Sequence, residues 1–216
     1  MSKKFTGLIT VFVCLALFLS PALADDTIND VISYEFKGAA AFSQTIGATA
    51  VSDKSTAYNS ITRLTCTAHG YLAGSLVYLT GFVTPLDYLN GLRKINAIAA
   101  NTLDVVTKLG TYVAGTPAGS ETARCAIKID EAFIFKGFEL HLDIVGGATE
   151  DLEVVKDADA GVQFDTKIFD DDTATMLDEI SIYGFLPCKK NDIIVATYAN
   201  TNTRTWGLTF YIKKRY

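Results

Sequence analysis

The sequence predicts an all-β protein, because strand patterns recur along most of the chain while helical patterns are scarce. Runs of hydrophobic and β-branched residues of strand length alternate with turn signals such as Asn90-Gly91 and the glycine-containing stretch 115–119. The last run places four large apolar side chains on one strand face: Trp206, Leu208, Phe210 and Ile212. Only residues 173–178 could form a helical turn, so an α/β architecture has too little helix to cover a sheet.

Two blocks of predicted strands follow a polar N-terminal stretch. Residues 31–36 alternate with period two and predict a short edge strand, whereas residues 38–58 are rich in Ala, Ser and Thr and predict a loose loop. The first block has predicted strands at 61–68, 76–80, 92–97, 102–106 and 123–129. The second block has them at 133–135, 138–143, 152–155, 180–183, 192–198 and 205–212. Short strands at this spacing are typical of a small β-barrel or a β-sandwich.

The composition allows a real hydrophobic core and argues against nucleic acid as a partner. The chain has 216 residues, of which 49% are apolar and 20% are charged, so intrinsic disorder is excluded for most of it. The formal net charge is −5, and a surface of that sign repels phosphate backbones. We therefore expect no nucleic-acid partner.

Residues 1–24 have the three parts of a secretory signal peptide. Ser2-Lys3-Lys4 is a basic start, residues 5–19 are an apolar run, and Ala22-Leu23-Ala24 is a small-residue ending. A membrane-inserting leader is the alternative, although the apolar run is shorter than the about 20 residues that cross a bilayer. The sequence predicts export and leaves open whether the leader is cleaved.

The cysteines show no spacing that indicates zinc or redox chemistry. Cys14 lies in the leader, and no C-x-x-C pair occurs among Cys66, Cys125 and Cys188. Cys66 and Cys125 lie near the two ends of the first block of strands, which makes them a candidate disulfide in an exported protein. The alternative is that all three are small buried hydrophobic residues.

Several short motifs in the first block match a small β module. They are Thr67-Ala68-His69-Gly70 with Gly74, Val77-Tyr78-Leu79-Thr80-Gly81, Leu89-Asn90-Gly91 and Asn101-Thr102-Leu103. With them, residues 61–125 resemble a module of bacteriophage tail and fibre proteins, related in fold to the first half-domain flanking the catalytic cysteine in ubiquitin-activating enzymes. That half-domain does not carry the enzyme's cysteine, so the resemblance implies no catalytic role for Cys66. Ser75 departs from the acidic residue that is usual in the phage pattern.

The second block carries a longer set of motifs. They are G-x-x-L-H-L at 137–142, A-G-V-Q-F-D-T at 160–166, N-D-I-I-V-A-T-Y at 191–198 and N-T-N-T-R-T-W-G-L at 200–208. This stretch is similar to uncharacterised bacteriophage particle proteins. Asn191 stands where Gly is more usual, and a left-handed turn tolerates Asn there.

Together the two resemblances imply a jelly-roll-like β-sandwich with an inserted small β-barrel domain, carried on a bacteriophage virion. We expect residues 25–60 with 126–216 to form the sandwich and residues 61–125 to project from it. On this hypothesis the chain is a structural protein that associates with itself as a homo-oligomer and with other particle proteins. The alternative is a secreted, extracellular bacterial module that binds a glycan or a protein such as a cell-surface receptor.

The sequence favours a protein that is not an enzyme. His69 and His141 are the only candidates for a general base near neutral pH, and they lie in different blocks. The chain has neither the G-x-S-x-G nor the H-E-x-x-H spacing that would give one of them a hydrolytic role. We therefore expect no catalytic residues.

Acidic residues crowd the stretch 150–179 and suggest one possible cofactor. Asp157-Ala158-Asp159-Ala160-Gly161 resembles the start of a calcium loop, but Ile168 stands where an EF-hand needs its final Glu. A looser calcium site remains a candidate because hard cations need only clustered oxygen atoms. Its ligands would be Asp157, Asp159, Asp170, Asp171 and Asp172. The alternative is a solvated acidic loop region and no cofactor.

Two further surface features bear on partners. Four tyrosines lie near turns of the first block and are either recognition residues or core residues: Tyr71, Tyr78, Tyr88 and Tyr112. The basic end Lys213-Lys214-Arg215 on an acidic chain predicts a head-to-tail contact with the acidic stretch 150–179 of a neighbour. Otherwise these three charges keep the chain end solvated.

Overall fold

The computed structural model describes residues 31–57, 59–66, 69–108, 110–144, 149–174 and 178–215. Within these residues it contains fourteen β-strands and two short 3₁₀ turns, so the predicted all-β class is confirmed. The predicted leader at residues 1–24 lies outside this part of the chain. None of the helices in the described ranges is long and apolar enough to cross a membrane.

The strands follow one another along the chain from residue 31 to residue 214. The first seven are β1 (Val31–Gly38), β2 (Ser43–Thr45), β3 (Ala50–Asp53), β4 (Ile61–Thr65), β5 (Leu76–Thr80), β6 (Gly91–Ala99) and β7 (Thr102–Val106). The next seven are β8 (Thr122–Lys128), β9 (Phe133–Leu142), β10 (Asp151–Asp157), β11 (Thr166–Asp172), β12 (Glu179–Cys188), β13 (Ile193–Thr197) and β14 (Trp206–Lys214). The 3₁₀ turns are Asp87–Leu89 and Val162–Phe164.

Eight of these strands form a β-sandwich with jelly-roll topology. One sheet has the order β1-β14-β9-β12, and the second sheet contains the order β8-β13-β10-β11. The pairing is nested, because β1 pairs with β14, β8 with β13, β9 with β12 and β10 with β11. Such nesting is what results when one long hairpin is rolled into two packed sheets, as in jelly rolls.

The sandwich core is built by strand alternation. All four apolar residues predicted on one face of β14 are buried: Trp206, Leu208, Phe210 and Ile212. Phe138 of β9 meets Phe169 of β11 from the other sheet in an edge-to-face contact with ring centroids 5.5 Å apart. Full burial of each large side chain contributes about 1.5–3 kcal/mol, so this layer adds substantially to the stability of the fold.

The remaining strands form a closed circuit of backbone pairing, which we call the strand ring. Its order is β8-β5-β6-β7-β4-β3, and β2 pairs back onto β8. The circuit closes because β2 and β3 belong to one stretch, along which Ile46 donates to the Glu121 carbonyl (2.9 Å) and Thr49 to the Thr65 carbonyl (2.8 Å). The ring is filled by buried apolar side chains, among them Leu64, Val77, Leu79, Ile95 and Leu103.

The ring does not coincide with the predicted inserted domain at residues 61–125. Residues 43–53 supply β2 and β3 to it, although they were assigned to the sandwich. Strand β8 belongs to both parts, since residues 122–124 pair with β2 and β5 while residues 125–128 pair with β13. A separate inserted barrel is therefore not confirmed, and the sandwich and ring share one continuous sheet and one hydrophobic core.

Aromatic contacts join the ring side to the sandwich. Phe42 lies 4.4 Å from Trp206 between ring centroids, and Tyr71 lies 6.3 Å from it. The indole nitrogen of Trp206 donates a hydrogen bond of 2.8 Å to the carbonyl oxygen of Ala40. Tyr71 also bridges to Gly38 at the end of β1, so the ring covers part of that strand's outer edge.

Candidate interaction surface

The second-block motifs hold unusual backbone geometry. Gly137 has φ 130° at a bulge, and a Cβ there would overlap the carbonyl oxygen of Ile182 on β12. Asn191 has φ 69°, which confirms the left-handed turn expected for this Asn. These positions are therefore explained by the shape of the chain and require no ligand.

Asn200 fastens the turn before β14. It has φ 51° and is buried, and its side-chain oxygen accepts a 2.8 Å hydrogen bond from the backbone N–H of Arg204. Its amide nitrogen donates to the carbonyl oxygens of Arg204 (2.9 Å) and Ala40 (3.3 Å). Glu150 accepts a 2.7 Å bond from the backbone N–H of Thr201 in the same turn. The N-T-x-x-R-T-W pattern thus builds the turn that delivers Trp206 into the core.

The two histidines have separate and different environments. His69 is buried, and its Nε2 lies 3.1 Å from the carbonyl oxygens of both Ala99 and Thr102. Because carbonyls only accept, Nε2 carries the proton, and Nδ1 accepts from the backbone N–H of Tyr71 at 3.3 Å. These three contacts mean that His69 ties together three backbone segments of the ring. His141, by contrast, is exposed, and its Nε2 lies 4.0 Å from a carboxylate oxygen of Glu179.

The cysteines match the second of the two alternatives. Cys66, Cys125 and Cys188 are all buried free thiols, so the predicted Cys66–Cys125 disulfide is not formed in the structure. Burial raises the pKa of Cys66 and of Cys188 to about 11, and raises the pKa of Cys125 as well.

The five candidate calcium ligands do not form one site. Strands β10 and β11 make a hairpin in which Asp151 pairs with Asp172 at one end and Lys156 with Thr166 at the other. Asp157 and Asp159 therefore lie at the opposite end from Asp171 and Asp172, roughly 15 Å or more away at about 3.3 Å per residue. Among the described residues, no group of three or more potential ligands is close enough to hold a metal ion.

At least two of these five carboxylates form hydrogen bonds or ion pairs with neighbouring groups. Asp170 accepts a 2.7 Å bond from Lys167, which also pairs with Glu153 at 3.0 Å. Asp172 caps the hairpin end by accepting from the backbone N–H of Glu150 at 3.1 Å. The stretch predicted as acidic loops is therefore largely a hairpin of two strands.

The tyrosines predicted near the turns of the first block are mostly packed. Tyr71 is buried in the core, and its hydroxyl donates to the carbonyl oxygen of Phe42 at 3.4 Å. Tyr88 and Tyr112 are partly buried and donate to backbone carbonyls, and Tyr78 is partly buried in β5. The packing alternative therefore describes Tyr71 fully and the other three in part.

The basic C-terminal end is engaged within its own chain. The ammonium group of Lys214 pairs with Glu131, and the backbone N–H of Arg215 donates to the carbonyl oxygen of Ala132 at 3.1 Å. Lys214 is thus committed to an intramolecular ion pair. This weakens the case for a head-to-tail contact through residues 213–215.

Among the residues that the structure describes, the two most exposed aromatic side chains, Tyr183 and Phe185, lie elsewhere, on the first sheet. On its outer face, Tyr183 of β12 and Tyr211 of β14 flank Gly137 of β9 in one row across the sheet. Both hydroxyls donate to the carboxylate of Glu139, the one from Tyr211 at 2.7 Å, and the ring centroids are 6.2 Å apart. The hydrogen bonds from Tyr183 and Tyr211 lower the pKa of Glu139, and the bond to Glu139 raises the pKa of Tyr211 to about 12. We call these three residues the tyrosine platform.

A bulge in β12 pushes a second aromatic side chain outward. Tyr183 pairs with Gly137 and Leu186 with Phe135, so Gly184 and Phe185 face Lys136 alone. Phe185 is 62% exposed, and the Lys136 ammonium lies over its ring, 5.5 Å from the ring centroid.

Two grooves lie where the edges of β11 and β12 run side by side, and Phe185 lines the first of them. A groove of about 250 Å³ is lined by Thr166 and Ile168 from β11 and by residues 182–186 from β12. A second groove of about 160 Å³ brings Phe164 next to Pro187. Val162 is 83% exposed and Phe164 is 56% exposed. We call Val162, Phe164 and Phe185 the edge patch.

Neither the tyrosine platform nor the edge patch is predicted from the sequence. One feature of the sequence could have indicated them. In Tyr183-Gly184-Phe185 a glycine stands between two aromatic residues within a strand pattern, which is typical of a bulge. No family model, no curated protein and no solved structure matches this chain.

Proposed function

We propose that this chain is a non-enzymatic structural protein of a bacteriophage particle or another exported assembly. It associates with itself through the sandwich and presents the strand ring outward for attachment or decoration. The observation that carries the proposal is the position of the ring in the topology. The ring continues the second sheet beyond β8, whereas the edge patch lies at the far end of both sheets, on β12 and on the 3₁₀ turn that precedes β11.

This arrangement separates two tasks. Three strand spacings of about 4.8 Å lie between β8 and β11, so contacts made at the β11–β12 side leave the ring unobstructed. Jelly rolls serve as subunits of viral capsids among other roles, and fold similarity alone is an analogy. The resemblance of the motifs in both blocks to those of phage proteins further supports the proposal.

Sedimentation velocity of the purified chain tests the proposal. At micromolar concentration we expect an oligomer of defined size. The fraction of the chain in this oligomer should rise with protein concentration. A monomer at every concentration up to about 100 µM, well above the range of specific contacts, would contradict self-assembly.

A second candidate, a secreted glycan-binding module, is favoured by the tyrosine platform. Two partly exposed rings held by one carboxylate offer flat apolar faces for sugar C–H groups, and Ser181 and Thr209 flank Glu139 with hydroxyls. Because the hydrogen bonds to Glu139 fix the rings, little side-chain entropy is lost on binding.

A glycan array followed by calorimetry tests this candidate. Binding of a glycan that is lost in Tyr211→Ala and kept in Tyr88→Ala would support it. Binding that is unaffected by Tyr211→Ala would overturn it.

A further inference from the structure

We propose that two copies of this chain associate about a two-fold axis that passes near Gly184, with Phe185 of each copy close to the axis and Phe164 of each copy facing the beginning of β12 in the other copy. This rests on the proposed function, because it names the surface through which the subunits meet. The occupant of the patch is therefore a second copy of this chain.

β12 has acidic residues at one end and basic residues at the other, so two antiparallel copies of the strand would place opposite charges together. Asp178 and Glu179 stand at the beginning of the strand, Lys189 and Lys190 follow its end, and all four are exposed. Rotation by 180° about Gly184, midway between them, brings Glu179 of one copy to Lys189 of the other, and Asp178 to Lys190. An isologous contact requires this property, since each residue must suit its counterpart on an identical surface.

The exposed area is sufficient for the core of such a contact. Val162, Phe164 and Phe185 together expose on the order of 300 Å² of mainly apolar surface, which is within the range of functional patches. A stable contact buries about 800 Å² per partner, and its polar rim supplies the remainder. The charged ends of β12 are placed to form that rim.

Side chains make this contact, because the free edge of β12 is unsuited to extending the sheet. The bulge at Gly184 and Phe185 interrupts the row of backbone groups, and Pro187 has no N–H to donate. The same bulge directs Phe185 outward at the centre of the proposed interface. One structural element thus blocks open-ended strand pairing and supplies the central apolar contact.

Light scattering on the full chain and its variants tests the proposal. Phe164→Ser/Phe185→Ser should lower the mass of the smallest oligomer to that of a monomer, while Val83→Ser should leave it unchanged. Val83 is the matched control because it is also 62% exposed and lies far from the edge patch in the strand order, on the connection between the ring strands β5 and β6. Circular dichroism should show that all variants keep the β fold.

Charge exchange gives a second readout that a loss of folding cannot imitate. Glu179→Lys alone should weaken the dimer at least tenfold, and Glu179→Lys/Lys189→Glu should restore it. In addition, Gly184→Cys should form a covalent dimer on mild oxidation, since a Cβ there has no atom within 4 Å and Cys66, Cys125 and Cys188 are buried. Val83→Cys should form no covalent dimer under the same oxidation, although its non-covalent association is unchanged.

The outcomes separate this inference from the proposed function. A wild-type oligomer that is unchanged by the patch and charge variants would overturn the two-fold contact and leave self-assembly standing. A wild-type chain that is monomeric at all concentrations would overturn both.

Discussion

At the scale of single residues, backbone geometry decides which positions in the motifs are sensitive. Gly137 and Asn200 both have positive φ, and each is surrounded by backbone atoms of a neighbouring segment. Gly184, by contrast, has open space around it although it lies in the same sheet. Chemically similar residues therefore tolerate substitution very differently.

Gly137→Ala should destabilise the protein by about 2 kcal/mol or more, because the new Cβ would overlap the Ile182 carbonyl and would strain φ 130°. Gly184→Ala is the matched control and should change the free energy of unfolding by less than about 0.5 kcal/mol. Urea denaturation of both variants measures the difference. Equal effects would show that the bulge does not constrain Gly137.

Asn200→Ala should cost about 2 kcal/mol, since it removes three side-chain hydrogen bonds and leaves Ala with φ 51°. Asn202→Ala, at an exposed position of the same turn, should be nearly neutral. Thermal unfolding of the two variants compares them. A neutral Asn200→Ala would mean that the turn before β14 is held by other contacts.

Stability should fall as the pH rises above about 9. Burial raises the pKa of Cys66 and Cys188 from 9.0 to about 11 and also raises that of Cys125. In that window the unfolded chain has released thiol protons that the folded chain still holds, so the unfolded state is favoured. Denaturant unfolding at pH 8, 9 and 10 measures the decline, and Cys125→Ala should make it shallower. A decline unchanged by that substitution would assign it to other groups.

At the scale of secondary-structure elements, hydrophobic alternation determined what the sequence could predict. Strands β5 and β7 have the predicted bounds, because both are short runs rich in apolar and β-branched residues between turn signals. Strands β2, β3 and β11 were expected as loops, since β2 and β3 are short and polar and β11 carries three consecutive Asp residues. Backbone pairing to β8, β4 and β10 forms these strands, and one-dimensional patterns do not report such pairing.

Shared strands also explain why the predicted domain boundaries differ from the structure. The composition changes near residue 61, but the chain enters the ring earlier, at Ser43. It leaves the ring within β8, whose two halves pair with different neighbours. A boundary inside a continuous strand has no turn signal to mark it.

Two deletions test this division of the chain. Replacing residues 39–121 by a Gly/Ser linker keeps all eight sandwich strands and should yield a folded, less stable β-protein, because Phe42 and Tyr71 no longer cover Trp206. Replacing residues 61–125 cuts β8 and leaves β3 without its partner, so that variant should not fold. Circular dichroism and cooperative unfolding distinguish them. The reverse result would support the boundaries predicted from the sequence, with residues 61–125 as an inserted domain.

At the scale of the whole molecule, the candidate surfaces could not be predicted because exposure depends on topology. Tyr71 lies near a turn but is buried, whereas Tyr183 and Phe185 lie within a strand but are exposed. β12 is the last strand of the first sheet, and its bulge turns Phe185 away from the core. Only the order of strands in the sheets shows that this strand is an edge.

The nested topology predicts how the subunits of an assembly are oriented. The ring lies on the β8 side of the sandwich and the edge patch on the β11–β12 side, so subunits joined through the patch should carry their rings outward. Electron microscopy of the assembled full chain, with an antibody fragment against the ring, tests this most directly. We expect sandwich density at the subunit contacts and labelled rings at the periphery. Labelled rings buried between subunits, or particles that are single subunits throughout, would contradict the proposal.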